Sequence, residues 1–308
     1  MNFLHSTRKL ANKILSPLGV AIVPADRTPW LRKAIVTIRV GLYSIQIPGI
    51  NPLVKCYSQF PESAGQLGRL ASLLKTKYPN LAAMDIGANV GDTACIIKSA
   101  ADIPLLCIEG DEFSFGFLKK NVSQFQNVSI HKLFLGEKTE TISATVEKTG
   151  WNTTIKPGSD TSAKKIDMTS LDDFLANQSG AANYRLIKID TEGFDCPIIR
   201  GGAKFIQQTH PVIAFEYNRD NMDAIGENGL ETLAMLERLG YSIIVFHDCY
   251  GRFFCSASLA DQALIRNLHD YADGKHGAIY YFDVTIFHKD DDDVARAFVT
   301  AEQVERAG

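Results

Sequence analysis

The sequence predicts an open, doubly wound α/β sheet, and three observations carry that expectation. From residue 65 onward, short apolar runs alternate with stretches of helical periodicity. The apolar runs are continuous rather than alternating, as strands become when helices cover both faces of a parallel sheet. One run ends in "MDIGANVGDT", Met84 to Thr93, where a glycine-bearing turn leads straight from strand into helix. A sheet of this kind takes its ligand outside the carboxyl ends of the strands, where that turn lies.

At 308 residues the chain has room for one large α/β domain with additions. A formal net charge of -3 offers no basic field for a phosphate backbone, so nucleic acid is not expected as a partner. The cysteines (Cys56, Cys95, Cys107, Cys196, Cys249 and Cys255) include no C-x-x-C pair and read as reduced thiols in a cytoplasmic protein. No apolar run reaches the roughly 18 residues of a transmembrane segment. The basic N-terminus is interrupted by Lys13 and Pro17 and does not read as a secretory signal. No motif specifies an oligomeric state.

The elements follow in order. Residues 1–62 read as an N-terminal extension of helix and irregular or strand segments. Within it Leu4, Leu10, Ala11, Ile14 and Leu15 form an apolar stripe opposite Arg8, Lys9 and Lys13. That stripe packs on its own domain or makes a peripheral contact with a membrane surface or partner subunit. Residues 63–289 form the main domain, opening with helix "AGQLGRLASLLKTKY", strand "LAAMDIG" and helix "DTACIIKSAA". Strand "PLLCIEG", helix "FSFGFLKKNVSQF" and strand "VSIHKLFLG" come next, then "TISATVEKTGWNTTIKPGS" as hairpin material. Helix "TSLDDFLANQ", capped by Thr169 or Ser170, precedes strand "YRLIKID" and helix "CPIIRGGAKFIQQ". Strand "PVIAFEY", helix "GLETLAMLERLG" and strands "YSIIVFH" and "IYYFDVTIFHK" close the series. In the tail, residues 290–308, the run "KDDDD" reads as a solvated break before a C-terminal helix.

The turn itself narrows the ligand. Gly87 and Gly91 bring backbone and a helix N-terminus close to whatever binds there. A P-loop would need a lysine after the last glycine, and none follows Gly91. A dinucleotide fingerprint would place glycine where Asn89 and Asp92 stand, and bulk and negative charge both oppose a pyrophosphate. S-adenosylmethionine suits the turn better, because its cationic groups accept Asp85 as a neighbour. Glu109 ends the next strand 24 residues later (109 − 85), where a carboxylate binds ribose hydroxyls.

A second signature, "IKIDTEGFD", places Asp190, Glu192 and Asp195 at the end of a buried strand. Carboxylates so placed are costly unless paired, hydrated or bound to a ligand. Lys188 is a candidate partner in a purely structural account. Glu216, in "AFEYN", ends the following strand at the same edge.

Together, "MDIGANVGDT", "CIEGDEFSFGFLKKN", "SLDDFL", "LIKIDTEGFDCPIIRGG" and "PVIAFEYN" resemble the FkbM-type family of S-adenosylmethionine-dependent methyltransferases, over roughly residues 80 to 220. The resemblance implies a class I, Rossmann-like methyltransferase fold with a mostly parallel seven-stranded sheet whose last strand is antiparallel. It implies cofactor contacts at Asp85, Gly87, Asn89, Gly91, Thr93, Glu109, Asp111 and Leu135. It also implies methylation of a hydroxyl on a glycan or natural-product acceptor. The family usually shows "D-x-E-G-x-E" in the second signature, and here Asp195 replaces the last glutamate.

A sugar hydroxyl is a weak nucleophile and needs a base or a metal at its proton. Asp190 is the first candidate base, followed by Glu192 and Glu216. The same three carboxylates are an alternative ligand set for a divalent metal. His247 and Asp248 form a further candidate acid–base pair, and Trp151, Asn152 and Thr153 a candidate sugar-stacking wall. Selectivity is expected from the N-terminal sixty residues, the hairpin insertion and the segment from His247 to Gly277. A non-catalytic scaffold that binds the cofactor within a glycan-assembly complex is the alternative function.

Overall fold

The strands form where the sequence places its apolar runs. The computed structural model describes residues 34–60, 63–149, 152–158, 163–273 and 279–307. The apolar stripe expected at Leu4–Leu15 lies outside these residues. Strands β1 (Ile35–Val40) and β2 (Tyr43–Pro48) pair as an antiparallel hairpin. Then β3 (Ala82–Ile86), β4 (Leu105–Ile108) and β5 (Val128–His131) join one half of the main sheet in parallel. A separate four-stranded sheet comprises β6 (Phe134–Gly136), β7 (Glu140–Thr149), β8 (Asn152–Pro157) and β9 (Lys164–Ser170). The main sheet resumes with β10 (Tyr184–Ile189), β11 (Val212–Tyr217), β12 (Tyr241–Asp248), β13 (Phe253–Ser258) and β14 (Phe282–His288).

Its order is β13-β12-β14-β11-β10-β3-β4-β5. Strand β14, the last in the chain, runs antiparallel to both β11 and β12. Seven strands thus meet the expected architecture, and β13 adds an eighth at the edge, antiparallel to β12. Every residue of β3 and β4 is buried, and alternate side chains enter different cores. Met84 and Ile86 pack with Leu171, Ile198 and Leu233 on one face, whereas Ala83 packs with Leu70, Ala94 and Phe298 on the other. Helices on both faces explain why these strands read as unbroken apolar runs.

Three local expectations are corrected. "VSIHKLFLG" is not one strand: β5 ends at His131, and Phe134–Gly136 leaves for the smaller sheet beside β9. "CPIIRGGAKFIQQ" is not one helix but two, Asp195–Gly201 and Ala203–Thr209, divided at Gly202. The "KDDDD" run is not a solvated break at its centre. Asp291 is fully buried, accepting a hydrogen bond from the Tyr78 hydroxyl and lying 2.9 Å from Lys77 Nζ. The helix Asp292–Ala307 that follows sends Val294, Ala295 and Phe298 into the core.

The hairpin β1–β2 is fastened onto the glycine turn. The buried Asn121 side chain accepts from the Gln46 N–H at 2.9 Å and donates to the carbonyls of Gln46 and Val90. Val40, Ile45, Ile47 and Tyr57 share a core with Val90 and Cys95. Residues 34–60 therefore form part of the frame around the turn. Among the described residues no helix is long and apolar enough to cross a membrane, and all six cysteines are free.

Candidate active site

A cleft of about 360 Å³ opens at the carboxyl ends of β3, β4 and β10, at the point where the strand order reverses direction. That volume lies in the roughly 300–1,000 Å³ range of small-molecule sites. Its floor is the glycine turn. Gly87 (φ 76°) and Asn89 (φ 46°) are both left-handed, so the chain doubles back and enters the helix Asp92–Ala100 with its N–H groups toward the cleft.

Glu109 stands at the next strand end with both carboxylate oxygens oriented by backbone. Oε2 accepts from the Asn89 N–H and Oε1 from the Asp111 N–H, each at 2.8 Å. Each oxygen keeps a lone pair for a further donor, and two adjacent hydroxyls suit that arrangement. Burial raises the Glu109 pKa against the lowering effect of those two N–H groups. Asp111 lines the cleft too, but its carboxylate caps the helix Glu112–Val122, accepting from the Phe113 and Ser114 N–H groups. Thr93 and Leu135 also line the cleft.

Two expected cofactor positions lie behind the wall instead of in it. Gly91 turns its α-carbon toward Val122 and Leu118, its value being close packing of the turn on the neighbouring helix. Asp85 is fully buried beneath the floor, 3.3 Å from Lys188 Nζ. Burial, opposed by Lys188, raises the Asp85 pKa. Lys188 reaches into the cleft from β10, with Nζ also 3.6 Å from Asp190 Oδ2 and 3.3 Å from the Gly87 carbonyl. One ammonium therefore links the two signatures, which is why its partner in the sequence includes Asp85 as well as Asp190.

Asp190, Glu192 and Glu216 all line the cleft. The Asp190 side chain is 46% exposed, the most accessible position for contact with an acceptor among the acids paired to Lys188. Glu192 sits at φ 53°, a conformation a non-glycine residue adopts at a cost of roughly 1 kcal/mol. Asn221 Nδ2 donates to Glu192 at 2.9 Å and to Glu216 at 3.4 Å, and Asn218 donates to Glu216 at 3.0 Å. Burial and then the charge of Asp190 drive the Glu216 pKa well above the usual carboxylate range. That burial disfavours charge on Glu216, whereas the Asp190 side chain is the more accessible of the two carboxylates. Asp195 lies beneath, its Oδ2 accepting from Thr191 Oγ1 and the Gly193 N–H at 3.3 Å, with its pKa pushed up to about 7 by burial and Asp190.

His247 is a correction. It is fully buried, absent from the cleft, and its Nε2 lies 3.1 Å from Glu302 Oε2, which Arg69 also holds. Asp248 instead closes the turn after β12, accepting from the Tyr250 and Arg252 N–H groups. Trp151 lies outside the described residues, and Asn152 and Thr153 form the start of β8. The small sheet nevertheless forms a wall of the cleft through Phe134, Ile155 and Met168. Leu53 contributes from the N-terminal segment and Tyr281 from the approach to β14, whereas no described residue from 247 to 273 lines it.

Asp92, Tyr57 and Asn221 are not among the site residues named from the sequence. Asp92 lines the cleft and accepts from the Tyr57 hydroxyl at 3.0 Å; the tyrosine comes from the helix Pro52–Gln59, which carries no motif. Asn221 lies just past the helix-capping Asn218, a capping signal that could have flagged the segment. Among the described residues, three metal-ligand atoms come within 4.8 Å of one another at His210, His288 and Asp290 and not at Asp190, Glu192 and Glu216. No metal is assigned to the cleft.

The family described as the methyltransferase FkbM domain matches residues 85–243, just over half of the chain. Among solved structures, the methyltransferase FkbM of Methylobacillus flagellatus is 18% identical with a TM-score of 0.39; the alignment covers 58% of this chain and 43%, less than half, of that one. TYW2 of P. horikoshii in complex with MeSAdo is 11% identical, covering 91% of this chain and 83% of its own, with a TM-score of 0.42. The plantazolicin methyltransferase BamL, solved with SAH, is 12% identical over 77% of this chain and 89% of its own, with a TM-score of 0.40. No curated protein sequence matches.

Proposed function

This chain belongs to the FkbM methyltransferase domain family, and on that premise we propose that it is an S-adenosylmethionine-dependent O-methyltransferase whose acceptor is a hydroxyl of a glycan or natural product. The observation that carries the reading is the meeting, in one cleft, of the glycine turn, Glu109 and the Asp190–Glu192–Glu216 carboxylates. The residues fit the cofactor: a tight glycine turn, a carboxylate pre-oriented for adjacent hydroxyls, and apolar surface from Phe134 and Leu135. When bound, S-adenosylmethionine supplies an electrophilic methyl group on a sulfonium.

The chain's own residues position and deprotonate. Glu109 holds hydroxyls in a geometry fixed by two backbone N–H groups, so that orientation is settled before reaction. Asp190 accepts the acceptor's proton at a carboxylate oxygen, with Lys188 Nζ 3.6 Å away to steady its charge. Glu216, whose charge burial disfavours, lines the acceptor side of the cleft. Ile155, Met168 and Tyr281 face the acceptor and shed water from it. A net charge of -3 and an acidic cleft favour a neutral or cationic acceptor over nucleic acid, and free cysteines suit the cytoplasm.

Calorimetric titration with S-adenosylhomocysteine, using NAD as control, tests the cofactor. Binding of the first alone is expected, and loss of that binding in Glu109→Ala. Transfer of labelled methyl to glycan hydroxyls tests the reaction. NAD binding without S-adenosylhomocysteine binding would overturn the cofactor, and binding without any transfer would leave a scaffold.

A further inference from the structure

A second cluster of ligand-type side chains lies at the opposite end of the sheet. His210 stands just before β11 and His288 ends β14, and the antiparallel pairing of those strands brings them to one edge. Asp290 follows in the adjoining turn. Glu216 is six positions along the chain from His210, roughly 20 Å at the rise of an extended strand, so this cluster is remote from the cleft.

His210 Nδ1 lies 2.8 Å and His288 Nδ1 3.1 Å from the same atom, Asp290 Oδ2. The two imidazoles stack in parallel, centroids 3.7 Å apart and planes 17° from each other. The hydrogen-bond roles conflict at His288. Its Nδ1 accepts the Asp290 N–H at 3.2 Å, so a lone pair and not a proton faces the nearby carboxylate. Two electron-rich atoms 3.1 Å apart repel unless a cation stands between them.

The donor chemistry identifies the cation. Two imidazole nitrogens and a carboxylate oxygen suit a borderline divalent ion such as zinc, not the hard ions that favour oxygen alone. In a tetrahedral zinc site, donors about 2.05 Å from the metal stand about 3.3 Å apart. The observed separations of 2.8 and 3.1 Å need to open by only a fraction of an ångström. His210 and Asp290 are partly exposed, at 30% and 51%, which leaves water access for the fourth position. The left-handed backbone of His210, φ 48°, is the C-cap that ends the helix Ala203–Thr209 and sets where the imidazole leaves the chain. On binding, the His288 lone pair passes to the ion and the long contact from the Asp290 N–H is exchanged for water.

We propose that His210, His288 and Asp290 form a surface site for a borderline divalent cation such as Zn²⁺, tying the start of β11 to the end of β14. The site is structural and independent of methyl transfer.

The test uses the full-length, tag-free protein stripped with chelator, titrated with Zn²⁺ by calorimetry and checked by elemental analysis. One ion per chain is expected, with a rise in Tm, and Co²⁺ substitution should give the visible absorption of a tetrahedral site. His210→Gln and Asp290→Asn should each weaken binding by at least about tenfold, while S-adenosylhomocysteine affinity stays unchanged. Absence of Zn²⁺ binding to the unmodified chain would overturn the proposal. Binding retained in both variants would also overturn it, by placing the ion elsewhere.

Discussion

Gly87 and Asp190 stand at facing ends of adjacent parallel strands, and a Cβ on Gly87 would lie 1.9 Å from the Asp190 carbonyl oxygen. The glycine turn and the second signature are therefore pressed together through backbone, with Lys188 bonded to both. A change at one edge is felt at the other.

Gly87→Ala should disrupt both. The added methyl meets backbone, which cannot swing aside, and φ 76° disfavours any side chain. Unfolding free energy measured in urea is expected to fall by about 2–4 kcal/mol, and S-adenosylhomocysteine binding to be lost. A variant of normal stability that binds normally would show that the strand ends are not so close.

Asp190→Asn and Glu216→Gln should separate the two acids. Removing the proton acceptor at Asp190 is expected to lower kcat by about 10²–10⁴-fold, with S-adenosylhomocysteine affinity little changed. Burial and Asp190 raise the Glu216 pKa, and glutamine matches the shape and neutral charge that this environment favours. Its variant should keep most activity. The reverse order in a methyl-transfer assay would move the base to Glu216.

Glu302→Gln should harm stability and spare catalysis. Glu302 is 2% exposed and ties the helix Asp292–Ala307 to Arg69 and His247. Burial works against its charge, but the hydrogen bonds from His247 and Arg69 outweigh it and lower its pKa. Because the folded value lies below the unfolded one, the stabilisation is present above the ordinary carboxylate range and fades as pH falls through the lowered value. The variant should lose about 3 kcal/mol at pH 7, less in acid, as read by urea unfolding. A fall in kcat without a fall in stability would return His247 to the catalytic machinery.

How far the sequence could be read depended on whether a feature was local. Strands β3, β4, β10 and β11 are unbroken apolar runs because both their faces are covered, and the glycine turn announces itself by composition. Strand β13, "FFCSAS", sits at an edge with alternate residues half-buried, so it lacks such a run. Asp85 looked like a cofactor ligand because a cationic cofactor favours an acid at the strand end, but alternation along β3 points it under the floor to Lys188. His247 looked catalytic because it ends a strand. Only the packing of Glu302, 55 residues later, shows where its nitrogen goes. Tyr57 reaches Asp92 across 35 residues, and no motif marks the tyrosine's end of that contact.

Asp195→Asn should make stability less dependent on pH. Burial, then the charge of Asp190, push the Asp195 pKa from the ordinary 3.8 up to about 7. The folded protein thus holds a proton that the unfolded chain releases between about pH 4 and pH 7, so this carboxyl favours the fold in acid and disfavours it as pH rises through that window. The Asn side chain keeps an acceptor for Thr191 and the Gly193 N–H and places a donor where Asp195 Oδ1 has no partner. It has no proton to lose. Urea unfolding at pH 5 and pH 8 should show the variant gaining on the unmodified protein by up to about 3 kcal/mol across that interval. A difference that stays flat, or shrinks toward pH 8, would mean that Asp195 is already ionised in the fold and paired with a cation through Lys188.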